Sequence, residues 1–281
     1  MADMTFWIDV LLPALWGGLA GALKLGTFTS PFGFLFCLLA SIAEAASSMH
    51  LLYFEAFAAA AIPDMTFWVN VLLPALWKGL AVTLKLIAFT APFGFLLGLL
   101  IAVTRVYGAR PIRILAKLYV IFFRGCPLLL LLFILYFGLP SIGIILGSFY
   151  SALYGFILCN SAYNSEYFRG ALQSIKGGQM TAAKALGMTK AQAVLYVVIP
   201  QALRKALPGV SNEFIYLIKY SSLAYVVALI ELTGAAKIVA SKYFLYFETF
   251  AAVGVFYLVL VTIATVVINA LEKKYAIPGA Q

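Results

Sequence analysis

The sequence predicts an all-α integral membrane fold, and three observations predict it. Of the 281 residues, 64% are hydrophobic and only 10% are charged, with a mean hydropathy of +1.04; a water-soluble globule reaches that balance only by exposing large apolar patches. The apolar residues fall in long unbroken runs and do not alternate in ten-residue pieces, which selects helices over barrel strands. At about 20 residues per crossing, the chain has room for about five to seven spans joined by short loops.

Runs long enough to span lie near 10–42, 72–103, 113–137, 144–172, 197–233 and 245–271. The run at 197–233 exceeds one straight crossing, and Pro208 with the polar cluster Lys219, Tyr220, Ser221 and Ser222 predicts a kink or a break in it. Arg124, Gly125 and Pro127 interrupt the run at 113–137 in the same way; such breaks serve packing or line a transport path. Arg105, Arg110, Arg113 and Lys117 stand with no acid among them, and Arg169, Lys176, Lys184, Lys190, Arg204 and Lys205 follow in a second basic stretch. With Lys273 and Lys274 near the end, these regions face the cytoplasm by the positive-inside rule. Glu44, Glu55, Asp64, Glu231 and Glu248 fit the opposite, outward side. Six crossings with both termini inside satisfy these assignments. The formal charge of +9 is therefore topological and gives no nucleic-acid footprint. The first forty residues have no basic leading region and no short apolar core with a cleavage site, and Lys24 falls inside the apolar run, so a retained span is expected there. Cys37, Cys126 and Cys159 lie far apart in apolar text and read as small core residues, without metal or disulfide spacing.

An internal repeat sets the domain organisation. Residues 4–39 align without gaps to 65–100, with 26 identities in 36 positions, and LYFEAFAA at 52–59 matches LYFETFAA at 245–252. Inverted repeats of transporters are usually weak in sequence and cover half the fold each; this one is strong and covers a single span. It reads as a duplication with its middle deleted, which makes residues 1–64 an appendage and residues 65–281 the working unit.

The stretch 179–200, QMTAAKALGMTKAQAVLYVVIP, is a polar-flanked pair of short helices in an otherwise membrane-like chain. Gly177 and Gly178 supply freedom for a turn after the preceding span. A short helix then carries Ala182, Ala183 and Leu186, and Gly187 stops it. Thr189 with Gln192 has the spacing of a capping box, so a second helix starts there and runs toward Pro200. Small residues at 182, 183 and 187 let another protein approach the backbone closely.

The pattern A-A-x-x-x-G, followed after nine residues by an apolar-x-apolar-Pro, resembles the signature loop of bacterial ATP-binding-cassette importer permeases. AYNSEYFRGALQSIKGGQ at 162–179, IPQALRKALPGVSNEFIYLIKYSSLAYVVALIEL at 199–232 and RGCPLLLLLFILYFGLP at 124–140 resemble the polar amino acid branch of that family. The resemblance covers about 75–273. It implies a five-helix importer permease core, here with one additional N-terminal transmembrane segment, in the bacterial cytoplasmic membrane. It also implies a second permease subunit, a cytoplasmic ATPase that receives the loop and binds ATP and Mg, and an extracytoplasmic binding protein that delivers the solute. Ala182, Ala183, Leu186 and Gly187 would then be the coupling residues, framed by Gln179 and Pro200. The family's signature usually begins with Glu where this chain has Thr181, which removes a charged contact from that picture. A permease for another solute shares the loop, whereas a stand-alone channel or secondary transporter shares only the spans.

No G-x-x-x-x-G-K-[ST] occurs in the sequence, so the chain supplies no phosphate cradle of that kind. His50 is the single histidine, and no metal or triad chemistry is expected. Candidate solute contacts come from polar groups that are expensive to keep in a membrane. Asn160, Tyr163 and Asn164 share one helix face at spacings of three and four, with Glu166 nearby. A carboxylate and amides facing a cavity suit the ammonium and polar groups of an amino acid. The competing reading of Glu166 is an ion pair with Arg169 one turn on.

Overall fold

The computed structural model describes residues 65–175 and 177–275. The chain divides between Asp64 and Met65, and the described residues fall in the second unit. The expected crossing at 10–42, the duplicated head, Cys37 and His50 lie outside them. Among the described residues all regular structure is helical.

Helix α1 (Met65–Tyr107) is 43 residues long, with an 18-residue stretch of mean hydropathy 2.4, and measures about 65 Å at 1.5 Å per residue. It therefore overshoots a hydrocarbon core of about 30 Å. Helices α2 (Arg110–Gly125) and α3 (Leu128–Ile142) follow, bent by 101° at Cys126 and Pro127. Helix α4 (Ser148–Ser174) returns through the middle of the bundle, and the short helix α5 (Gly177–Ala185) follows. Helix α6 (Lys190–Val227) meets α7 (Leu232–Tyr243) at 52°, and α8 (Tyr246–Tyr275), which holds an 18-residue stretch of mean hydropathy 2.6, closes the described part.

Composition and length qualify α1 and α8 as spans on their own, and the pairs α2–α3 and α6–α7 if each bent pair is one span. The run at 113–137 is thus not one straight helix: Pro127 has no N–H to continue α2, and the chain turns there. Helix α4 is long enough to cross but too polar to pass the same test. Its Ser151, Asn160, Ser161, Asn164 and Ser165 are buried against neighbouring helices, so lipid does not meet them.

Three π-helical turns, Trp68–Leu72, Ile134–Gly138 and Val194–Val198, each end two residues before a proline: Pro74, Pro140 and Pro200. The cause is local. A proline ring collides with the carbonyl four residues back and offers it no N–H, and a widened turn lets that carbonyl swing clear. The helix expected to run toward Pro200 accordingly continues through it. Pro208 also sits inside the helix without ending it; the break comes later, where Ser221–Val227 tightens to a 3-10 helix and Ala228 turns left-handed at φ 58°.

Three apolar clusters stack along the bundle. One gathers Phe67, Leu72, Leu76, Leu232, Val239 and Val253 at the end where α1 begins. The middle one holds Leu86, Leu132, Phe156, Leu217 and Val227. The third, with Ala102, Phe168, Leu172, Val198 and Ala202, lies under the basic loops.

Candidate functional site: a polar cavity and a capped loop

The α1–α4 seam positions the polar groups. Gly94 and Gly98 stand one turn apart on α1, the small-x-x-x-small spacing that lets helices approach in a membrane. A Cβ on Gly94 would collide with the Asn160 amide oxygen, and one on Gly98 would lie 2.8 Å from Asn164 Cβ. The missing side chains thus make room for the two asparagines. Asn160 and Asn164 are 2% and 3% exposed and line a cavity of about 250 Å³ with Ala91, Pro92, Phe95 and Phe214.

A hydrogen-bonded chain leads away from this cavity. Asn164 Nδ2 donates to Asn160 Oδ1 at 2.8 Å. Asn160 Nδ2 donates to Glu213 Oε1 at 3.4 Å, and the Tyr220 hydroxyl donates to the same oxygen at 2.8 Å. Glu213 is 4% exposed, and none of the described ion pairs involves it. It is absent from the expected site. The signal was available, because a carboxylate inside the apolar run at 197–233 meets the same cost of burial that singled out Asn160 and Asn164.

Tyr163 and Glu166 lie apart from the cavity wall. Glu166 Oε1 accepts from Arg105 Nη1 at 2.6 Å, its Oε2 accepts from Arg169 at 2.7 Å, and Arg124 stands 3.8 Å away. Arg124 also lies over the Tyr163 ring, 5.3 Å from its centroid. The expected Arg169 pair is therefore present, within a node that ties α1, α2 and α4 together. Glu231, assigned with the acids on the outward side of the membrane, is fully buried. It caps α7, accepting from the Thr233 and Gly234 backbone N–H groups at 2.9 Å each and from the Tyr257 hydroxyl at 3.1 Å. Burial of the α7 start against α1 explains this, since an orphaned helix N-terminus there would have no water to bind. Cys159 is buried and Cys126 half-buried at the α2–α3 bend, both free.

The loop at the basic end is built by two caps. Gly187, at φ +83°, donates to the Lys184 carbonyl at 2.9 Å, and Met188 donates to the Ala183 carbonyl at 3.1 Å. This pair of bonds is the Schellman closure of α5, and it needs a left-handed residue at 187. The Thr189 and Gln192 side chains then form the expected capping box at the start of α6. Met180 packs on the cluster beneath the loop and Ala183 is buried, which anchors α5 to the body of the protein. Ala182, Thr181 and Leu186 face outward, Leu186 being 81% exposed. Ala183 thus supports the loop from within, while Ala182 belongs to its open surface. Gln179 accepts from Gln201 at 3.4 Å, beside the exposed Pro200. Lys190 and Lys205 reach the carbonyls of Tyr107 and Ser174, so the two basic stretches meet at one end of the molecule.

Residues 94–277 match the family model described as "Binding-protein-dependent transport system inner membrane component". The chain belongs to this permease family. Among proteins similar to it, the probable amino-acid ABC transporter permease YckA of Bacillus subtilis is 42% identical over 204 residues, 72% of this chain and 90% of that one. The probable glutamine ABC transporter permease GlnM of the same organism is 38% identical over 180 residues, 64% of this chain and 83% of its own length. A crystal structure of an amino acid ABC transporter with histidines shares 33% identity at a TM-score of 0.70, covering 76% of this chain and 99% of that chain. The family match takes in the cavity residues on α4, all of the capped loop, and Glu213.

Proposed function

We propose that the chain is the membrane-spanning subunit of an ATP-driven importer that carries polar or charged amino acids across a bacterial cytoplasmic membrane into the cell. The observation that carries this reading is the doubly capped loop. It holds Ala182, Thr181, Leu186 and Gly187 open at the basic end of a bundle whose permease relatives serve amino-acid transporters. A cytoplasmic ATPase receives this loop and supplies the ATP and Mg chemistry. A second permease subunit completes the pathway, and an extracytoplasmic binding protein delivers the solute. Closure of the ATPase pair on ATP draws the loops together and rocks the helices between inward-facing and outward-facing states.

Solute contact falls to Asn160 and Asn164, because they line the cavity. Glutamine and histidine, named with the relatives above, differ in side chain but share an α-ammonium and a carboxylate, so the common head group is what a shared site reads. Residues 1–64 stand as an appendage to this unit.

Purification from the native membrane in mild detergent tests the assignment. Recovery of an ATP-binding-cassette ATPase in equal amount is the expected result; recovery of the chain alone, beside a control importer that stays intact, overturns it. Gly187→Trp cannot adopt φ +83° without strain, so this variant loses the ATPase while its helix content holds. Normal association in that variant removes the loop from the coupling path.

A further inference from the structure

The polar chain at the cavity has a direction. Glu213 Oε1 is an acceptor, taking the Tyr220 hydroxyl as well as an amide N–H. It takes the Asn160 N–H, which turns the Asn160 oxygen toward Asn164 and against the glycine at 94. The Asn160 oxygen takes the Asn164 N–H in turn. What remains is Asn164 Oδ1, buried and without a hydrogen-bond partner, on a residue that lines the cavity. A buried acceptor left open costs about 1–3 kcal/mol, and such a group in a cavity wall points to a ligand that brings the missing donor.

The rest of the cavity narrows the chemistry. Ala91, Pro92, Phe95, Val210, Phe214 and Leu217 offer no donor or acceptor side chain. Behind Asn160 stands a carboxylate that no basic side chain approaches within ion-pair distance among the described residues. An apolar wall, an unmet acceptor and a nearby carboxyl group with no basic partner favour a ligand group rich in N–H.

We propose that Glu213 is a positioning residue. Acting through Asn160, it locks the Asn164 amide with its oxygen open as the acceptor for a ligand ammonium group. The inference rests on the importer reading and deepens it: the head recognised in the cavity is the ammonium end of the amino acid. Glu213→Gln breaks the direction, because a Gln amide also donates and Asn160 and Asn164 are then free to flip.

The test is equilibrium binding of radiolabelled L-glutamine, L-histidine and L-arginine to the complex of this chain with its ATPase in lipid nanodiscs. The binding protein is left out, so that its own affinity does not mask the cavity. Glu213→Gln and Asn164→Ala are each expected to raise Kd about tenfold, the worth of one hydrogen bond to a charged group. The double variant is expected to bind no more weakly than Asn164→Ala alone, since the same acceptor is lost once. Additive losses, reaching about a hundredfold in the double variant, overturn the positioning role, as does an unchanged Kd in Glu213→Gln. Asn164→Asp keeps the acceptor and adds charge; it should lower Kd several-fold for all three probes alike even where Glu213→Gln fails to fold, and a Kd that falls for arginine alone, or for none of them, overturns the proposal. Uptake by the complete wild-type importer separates the two levels. If it moves the probes but its permease–ATPase complex binds none, this inference alone falls; if it moves none of them, the amino-acid reading falls and takes the inference with it.

Discussion

Glu231 and Glu213 are both carboxylates removed from water in one helical bundle, and they have opposite surroundings. Glu231 receives two backbone N–H groups and the Tyr257 hydroxyl, with Thr83 Oγ1 at 3.5 Å. Glu213 receives two side-chain donors on one oxygen and leads through two asparagines to an open acceptor at a cavity. A buried acid whose donors include the ends of its own backbone is a fastening. A buried acid whose chain of bonds ends in an unmet acceptor is set up for a visitor. Glu166 marks a third arrangement, in which three guanidinium groups consume the charge.

Substitutions can break or sharpen this contrast. The largest effect is expected from Glu231→Ala, which orphans the Thr233 and Gly234 N–H groups at about 1–3 kcal/mol each and should lower the thermal midpoint of the detergent-solubilised protein by many degrees. Glu213→Gln, measured alongside, should leave that midpoint nearly unchanged. Equal losses in the two variants would erase the distinction between fastening and site. Next comes Gly94→Leu, which drives a side chain into the Asn160 amide and opens the α1–α4 seam. Overpacking of this kind costs about 1–3 kcal/mol, and amino-acid binding should vanish with it; a variant that still binds would separate the cavity from the seam. Thr83→Ala removes the acceptor of the Leu232 N–H and should cost about 1 kcal/mol, visible as a smaller midpoint shift. The smallest change is expected in Glu166→Gln, where selectivity between basic and neutral amino acids should hold, because that carboxylate faces arginines and not the cavity. Altered selectivity would return Glu166 to the solute path.

Much of the architecture was legible in the residues. The loop at 179–200 could be read almost in full, because its stops are local: Gly187 supplies a left-handed turn and Thr189 with Gln192 a reciprocal cap. The burial of Asn160 and Asn164 followed from the cost of placing an amide in a membrane. Less legible was what depends on partners far away in sequence. Ala183 turned inward because α5 packs against the Val194–Val198 turn of α6, and Glu166 was drawn to Arg105, which is 61 residues away. The bend of 101° at Pro127 was announced by the proline, yet its angle was not.

By itself the sequence determined the class of solvent, the basic ends of the spans, the two caps of the loop and the family text around them. These depend on composition and on neighbours within a turn or two, which the chain order states directly. The tertiary structure alone decided which of three glutamates is neutralised, which is a cap and which stands behind a cavity. The reason is physical: a carboxylate's role is set by the donors that reach it. Beside donors from nearby turns, each of these carboxylates receives one from far along the chain: Arg105 for Glu166 at a separation of 61 residues, Asn160 for Glu213 at 53 and Tyr257 for Glu231 at 26. These meet only once the helices have packed.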